Sequence, residues 1–186
     1  MADATVRPAR SEDVTDIVRI QRDTWRTAYA DLVPEHVLAG LDTGESEQAW
    51  REVVANGPAS VFVATEGAWA VGFCAAGAAP DSEAAEADGT LPADAASTGL
   101  VAALLVEPRW GRRGHGGRLL VAAAACLREA GMTRGISWIP EADRASAAFY
   151  RRAGWRTDGA VRTLDAAGRP LREARVTGGL DLRLSS

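Results

Sequence analysis

Residues 112–117 read Arg-Arg-Gly-His-Gly-Gly, and Arg118 follows directly. Glycines in a turn let the backbone approach a bound group closely and adopt conformations that other residues avoid. The Ala- and Leu-rich stretch behind them has a helical pattern, and a helix N-terminus offers unpaired N–H groups and a partial positive charge. Arg112, Arg113 and Arg118 add fixed charge, so Gly114, His115, Gly116 and Gly117 sit in a turn suited to a pyrophosphate. The competing reading is an arginine-bearing loop that only links strand to helix. The Gly-Lys-Ser/Thr ending of a nucleoside triphosphate loop is missing. The glycine spacing and late position also differ from the dinucleotide fingerprint.

A second group lies further along the chain. Asp143, Ala147 and Tyr150 share one helical face, and Phe149 with Ala145 and Ala153 forms a neighbouring face that packs inward. Near the N-terminus Trp25 and Tyr29 are helical i, i+4 neighbours, which makes them either an aromatic wall or an ordinary apolar pair on an amphipathic helix. Cys74 and Cys126 lie in apolar surroundings without metal-ligand spacing and read as free thiols. His36 reads as a surface helix residue. No metal site is expected.

The elements that must position these groups follow from periodicity and punctuation. Residues 5–9 read as an opening strand, with Ser11 as N-cap of a helix over 11–32. Further helices are expected over 34–41 and 45–57, then a hairpin of strands 60–67 and 69–79. Residues 79–98 are acidic, contain Pro80, Gly89 and Pro92 and no aromatic residue, and read as a mobile surface loop. Strand 99–106 is apolar on both faces, as a central strand is. A helix over 118–131, a strand over 135–139, a helix over 141–154 and a terminal hairpin (160–164 and 171–184, turning at 165–170) complete the chain. One domain over residues 1–186 is expected, α/β (α+β) in class: a central mixed, mostly antiparallel sheet with helices on both faces.

With the elements in place, the segments "LLVEP", "GRRGHGG", "SWI" and "FYRRAGW" resemble the signature of the GNAT superfamily, the acyl-CoA-dependent N-acyltransferases. The stretches at both ends of the chain resemble a bacterial subgroup whose acceptor is generally unassigned. The resemblance implies a slot for acyl-CoA between two splayed strands. Leu104, Leu105 and Val106 would be the edge that pairs with the pantetheine arm, and residues 112–118 would hold the pyrophosphate. Asp143 stands where Asn is usual, and Gly111 where Gln or Arg is usual, so two side-chain contacts to the cofactor change character.

The same resemblance makes Tyr150 the general acid. A phenol ionising near 10 is protonated at neutral pH and can donate to the departing CoA sulfur. A backbone N–H near Val106 would hold the oxyanion. The general base is less defined. Some family members place a glutamate where this chain has Trp138, which cannot serve, and Glu107 reads as structural. Glu141 and Glu173 are the candidates, with proton loss to bulk water as the alternative. Trp25, Tyr29 and Leu32 would cover the acceptor side.

Composition bounds the rest. The chain has 186 residues, 21 arginines and no lysine, with a net charge of −4. Residues 1–99 carry 6 Arg against 17 acids and residues 100–186 carry 15 Arg against 8. That asymmetry suits acetyl-CoA phosphates at one side and a cationic primary amine at the other. No apolar run approaches the ~20 residues of a membrane helix, and no basic-aromatic pattern suggests nucleic acid, so a cytoplasmic enzyme is expected. Exposed strand edges leave a homodimer open. The rival reading is an acyl-CoA-binding regulatory module without catalysis.

Overall fold

The computed structural model describes residues 3–41 and 44–182. Strand β1 (Ala4–Pro8) leads into helices α1 (Val14–Ala28), α2 (Glu35–Gly40) and α3 (Gly44–Asn56). The hairpin β2 (Ser60–Glu66) and β3 (Trp69–Ala78), the helical turn α4 (Asp81–Ala84) and strand β4 (Thr98–Val106) follow. Then come α5 (His115–Glu129), β5 (Arg134–Pro140), α6 (Arg144–Arg152) and the hairpin β6 (Arg156–Ala166) and β7 (Arg169–Gly179). The far end of the expected last strand, residues 183–184, lies outside the described residues.

The sheet order is β1-β2-β3-β4-β5-β7-β6, and each neighbouring pair is antiparallel except β4 with β5. Alternation along β3 divides the core. Phe73 and Ala75 meet Ile17 and Ile20 of α1, whereas Cys74 and Ala76 meet the Leu119–Leu127 stripe of α5. Helices therefore cover both faces.

Two features open the centre of this sheet. The β4–β5 pairing runs only from Thr98↔Arg134 to Leu100↔Ile136. On its other side β4 pairs Ala103 with Ala75 and Val101 with Ala76, so Ala102 is an extra residue that bends the strand. At the point of separation the Ser137 hydroxyl donates to the Val101 carbonyl at 2.9 Å, in place of the next ladder bond. Beyond it the strands part.

Trp155 fixes the other flank. Its indole is fully buried over Gly135 and Gly178, which face each other across β5 and β7, and a Cβ on either would strike the ring. The ring also lies 5.3 Å from that of Tyr150.

Two expectations are corrected. Ser11 does not cap α1: residues Ser11–Asp13 form a 3-10 turn, and Asp13 accepts from the Arg10 N–H at 2.7 Å. Both Asp13 oxygens also accept from Arg7 on β1, a charge-assisted pairing that a serine hydroxyl cannot match. The acidic segment is also no free loop. Ala84 is buried, the Glu83 and Ala85 carbonyls accept from Arg175, and the Glu83 carboxylate accepts from Arg162. Local composition carried no sign of these partners, which arrive from the terminal hairpin. Among the described residues no helix is long and apolar enough to cross a membrane, and no group of three metal-ligating side chains occurs.

Candidate active site

The gap between β4 and β5 is a cavity of about 190 Å³. One wall is the open edge of β4. Glu107 N–H donates to Val71 C=O on β3, so the alternation of an antiparallel ladder turns the N–H and C=O groups of Val106 and Leu104 away from β3, toward the gap. Leu104 and Leu105 line the cavity itself. An extended chain could add to this edge as a further strand.

Tyr150 stands at the vertex. It is 4% exposed, lines the cavity, and its hydroxyl donates to Ser137 Oγ at 3.0 Å. Burial pushes its phenol up to about 12. Ser137 thus joins Tyr150 to the β4 backbone, a role sequence reading missed. Its one signal was a hydroxyl amid the apolar residues of "GISWI".

The glycine turn leads from the end of β4 into α5. Gly114 is the N-cap with φ 81°, a conformation glycine adopts freely, and no side chain caps the helix. The first backbone bond of the helix is Arg118 N–H to Gly114 C=O, at 3.1 Å. The N–H groups of His115, Gly116 and Gly117 therefore have no partner within the helix. Gly116 lets α5 close on α6, since a Cβ there would come within 3.2 Å of Phe149.

The arginines mostly build the turn. Arg113 pairs with Glu66 at 2.8 Å and stacks on Trp110 at 4.9 Å, while Arg118 donates to the Arg113 carbonyl at 3.0 Å. Arg112 is exposed with φ 62°. The His115 side chain points the other way: it is 1% exposed, and its Nε2 lies 2.8 Å from Glu66 Oε2. Only the backbone of His115 faces the turn. Glu66, which anchors both side chains from β2, gave no signal in the sequence.

Asp143 serves as the N-cap of α6. Its Oδ1 accepts from Ser146 N–H at 3.0 Å, and its Oδ2 from the Ser146 hydroxyl at 2.7 Å and the Tyr29 hydroxyl at 3.0 Å. The α1 end is thereby strapped across the cavity. Burial, then the Asp143 carboxylate, holds Tyr29 above the usual phenol range. Trp25 meets Tyr29 edge-to-face at 5.6 Å, and both line the cavity. Leu32 does not: the turn after α1 brings buried Val33 inward instead, its N–H donating to the Tyr29 carbonyl.

Of the two candidate bases, the structure brings only Glu173 to the site. Glu173 is 9% exposed, lines the cavity and accepts from Arg162 Nε at 2.6 Å. Glu141 lies past the end of β5, exposed and bonded to Arg172 at 2.8 Å, and does not line the cavity. Glu107 is buried between Arg19 and Arg109, a structural ion pair.

The open strand edge, the uncapped helix and the glycine turn fit a phosphopantetheine nucleotide, and the comparisons with known proteins agree with that geometry. A family model described as "Acetyltransferase (GNAT) domain" matches residues 57–157. The uncharacterized N-acetyltransferase YuaI of Bacillus subtilis (strain 168) is 34% identical over 148 residues, which is 79% of this chain and 77% of that protein. An N-acetyltransferase from Staphylococcus aureus Mu50 superposes with a TM-score of 0.74 at 18% identity, covering 97% of this chain and 100% of that one. The PaiA N-acetyltransferase of Thermoplasma acidophilum, in complex with coenzyme A, superposes with a TM-score of 0.69 at 14% identity, covering 95% and 99%. At these identities the two structures speak for the fold.

Proposed function

The chain belongs to the GNAT acetyltransferase family, and on that premise we propose that it moves an acetyl group from acetyl-CoA to a primary amine by direct attack. The observation that carries the proposal is the Tyr150 hydroxyl at the vertex of the slot, beside the unpaired edge of β4. In this reading Leu104 and Val106 hold the pantetheine arm through their backbone. The N–H groups of residues 115–117 hold the pyrophosphate, with Arg112 as the exposed charge. Acetyl-CoA supplies a thioester, whose acyl carbon forms the new C–N bond as its C–S bond breaks.

Direct attack, without an acyl-enzyme, suits the residues at hand. Cys74 is buried outside the cavity lining, its thiol bonded to the Leu119 carbonyl and pushed by burial up to about 12. Glu173 is the carboxylate at hand to take the proton an ammonium must lose before it can attack. Overall the ammonium nitrogen gives up two protons; one ends on sulfur and one in solvent. Tyr150 acts chiefly by donating a hydrogen bond to the departing sulfur. A departing thiolate, whose conjugate thiol ionises near ~8.5, does not strip a proton from a phenol held so much higher, and takes its proton from solvent. The Val106 N–H, on the open edge, stabilises the oxyanion.

Calorimetric titration of acetyl-CoA into the wild-type protein and a Gly114→Glu, Gly116→Glu double variant tests the cradle. Saturable binding lost in the variant is expected, together with amine-dependent thiol release by the wild type. Absence of binding to the wild type would refute the reading. Binding without thiol release across an amine panel would favour the regulatory module.

A further inference from the structure

The acceptor side of the cavity carries its own chemical signature. Trp25 and Tyr29 form one wall and Trp138 of β5 lines the cavity with them. Leu164 and Leu171 face each other across β6 and β7 and close the outer side, with Leu164 40% exposed. Two residues along β7, on the same face as Leu171, lies Glu173. Among the described residues lining the cavity it is the one carboxylate, and no arginine, lysine or histidine lines it.

The surrounding charges sharpen this. Arg162 is held by Glu173 at 2.6 Å and by both oxygens of Glu83, at 3.0 and 2.8 Å, and its guanidinium lies 4.4 Å from the centre of the Trp138 ring. One cation thus serves two carboxylates, leaving the cluster one positive charge short. The neighbouring Arg175 is matched by Asp158 at 2.7 Å, and Arg172 by Glu141 at 2.8 Å. A single ammonium completes the cluster, and aromatic faces favour it further. A carboxylate on the acceptor would meet net negative charge and no cation in the lining. A polyamine would bring more charge than one carboxylate can match, and would leave the apolar walls unfilled.

Building on the acetyl-transfer reading, we propose that the acceptor is a monoamine on a compact aromatic or branched apolar body without a carboxylate. Its body lies among Trp25, Tyr29, Trp138, Leu164 and Leu171, and its nitrogen on Glu173. The test compares kcat/KM at saturating acetyl-CoA for 2-phenylethylamine, L-phenylalanine (the same body with a carboxylate) and spermidine. 2-Phenylethylamine should exceed both by at least about tenfold, the factor that a modest electrostatic mismatch produces. Glu173→Gln should bring the phenylethylamine-to-phenylalanine ratio toward one, and partial unfolding cannot mimic a change in that ratio. Equal or better use of phenylalanine or spermidine, or an unchanged ratio in Glu173→Gln, would overturn the proposal while leaving acetyl transfer intact.

A binding arm separates the two readings further. Calorimetric titration of 2-phenylethylamine into the protein saturated with CoA requires no turnover. Saturable binding, weakened in Glu173→Gln and in Trp25→Ala, supports the acceptor assignment even where thiol release fails. No binding to the wild type refutes it. Trp25→Ala also stands in should Glu173→Gln fail to fold, and acetyl-CoA binding to it should be unchanged.

Discussion

In the proposed mechanism Tyr150 works only while it keeps its proton, and its surroundings favour that. Burial raises its ionisation to about 12, with the Ser137 hydroxyl offsetting part of the rise. Tyr150→Phe removes the donor but keeps the ring against Trp155. In steady-state assays of thiol release kcat should fall ~10²-fold or more, with little change in the KM for acetyl-CoA. The same burial sets a pH expectation. In wild type kcat/KM should not decline between about pH 8 and pH 10, because the phenol is still protonated there. A decline in that range, absent from the Phe variant, would contradict it. Stability follows the same sign. A folded-state ionisation above the unfolded one favours the native state below about pH 10, and that contribution disappears as pH rises toward 12. Chemical denaturation of wild type at alkaline pH, set against Tyr150→Phe, measures it.

At the level of elements, α6 joins the two halves of the site. Asp143 caps it through Ser146 and draws in Tyr29 from the end of α1. Asp143→Ala should cost ~1 kcal/mol for the lost cap. It should also release the α1 end, raising KM for the amine more than KM for acetyl-CoA; equal shifts in both would argue against a strap on the acceptor side. Asp143→Asn keeps a capping oxygen and should restore most of the stability. The sequence made α6 and its Tyr150 face legible because helical spacing is local, and the turn before α5 legible because glycines marked it. It placed the start of α5 at 118 rather than His115, since Gly116 and Gly117 are poor helix formers, and the reason for Gly116, its close packing against Phe149, has no local trace. Asp143 was visible as a departure from Asn, but its bond to Tyr29, 114 positions away, has no local trace. Ser137 and Glu66 stayed hidden for the same reason.

Across the whole molecule, the acidic first half and the basic second half meet at several ion pairs. Arg113 meets Glu66, Arg134 meets Asp94, and Arg162 meets Glu83. Part of the uneven charge that suggested two external partners is therefore used inside the fold. In the proposed reading the charge that serves a ligand is local: the turn before α5 and the single carboxylate of Glu173. Arg175 shows how this internal pairing builds the site. It is 1% exposed on β7, bonds Asp158 at 2.7 Å, and holds the Glu83 and Ala85 carbonyls at 2.8 and 2.6 Å. The segment around α4 is therefore pinned beside Glu173 and Arg162, although its composition alone suits a mobile loop. Arg175→Leu fills the space but leaves a carboxylate and two carbonyls without their donor. Removing this buried donor and leaving its acceptors unpaired costs ~1–3 kcal/mol. The expected outcome is a lower denaturation midpoint, with faster amide hydrogen exchange confined to residues around 81–86 and α5 protected as before. Because Glu83 shares Arg162 with Glu173, the freed segment should also raise KM for the amine while the affinity for acetyl-CoA stays unchanged. An unmoved midpoint would mean that the segment is held by its own contacts, and that the charges of the two halves meet without supporting the site.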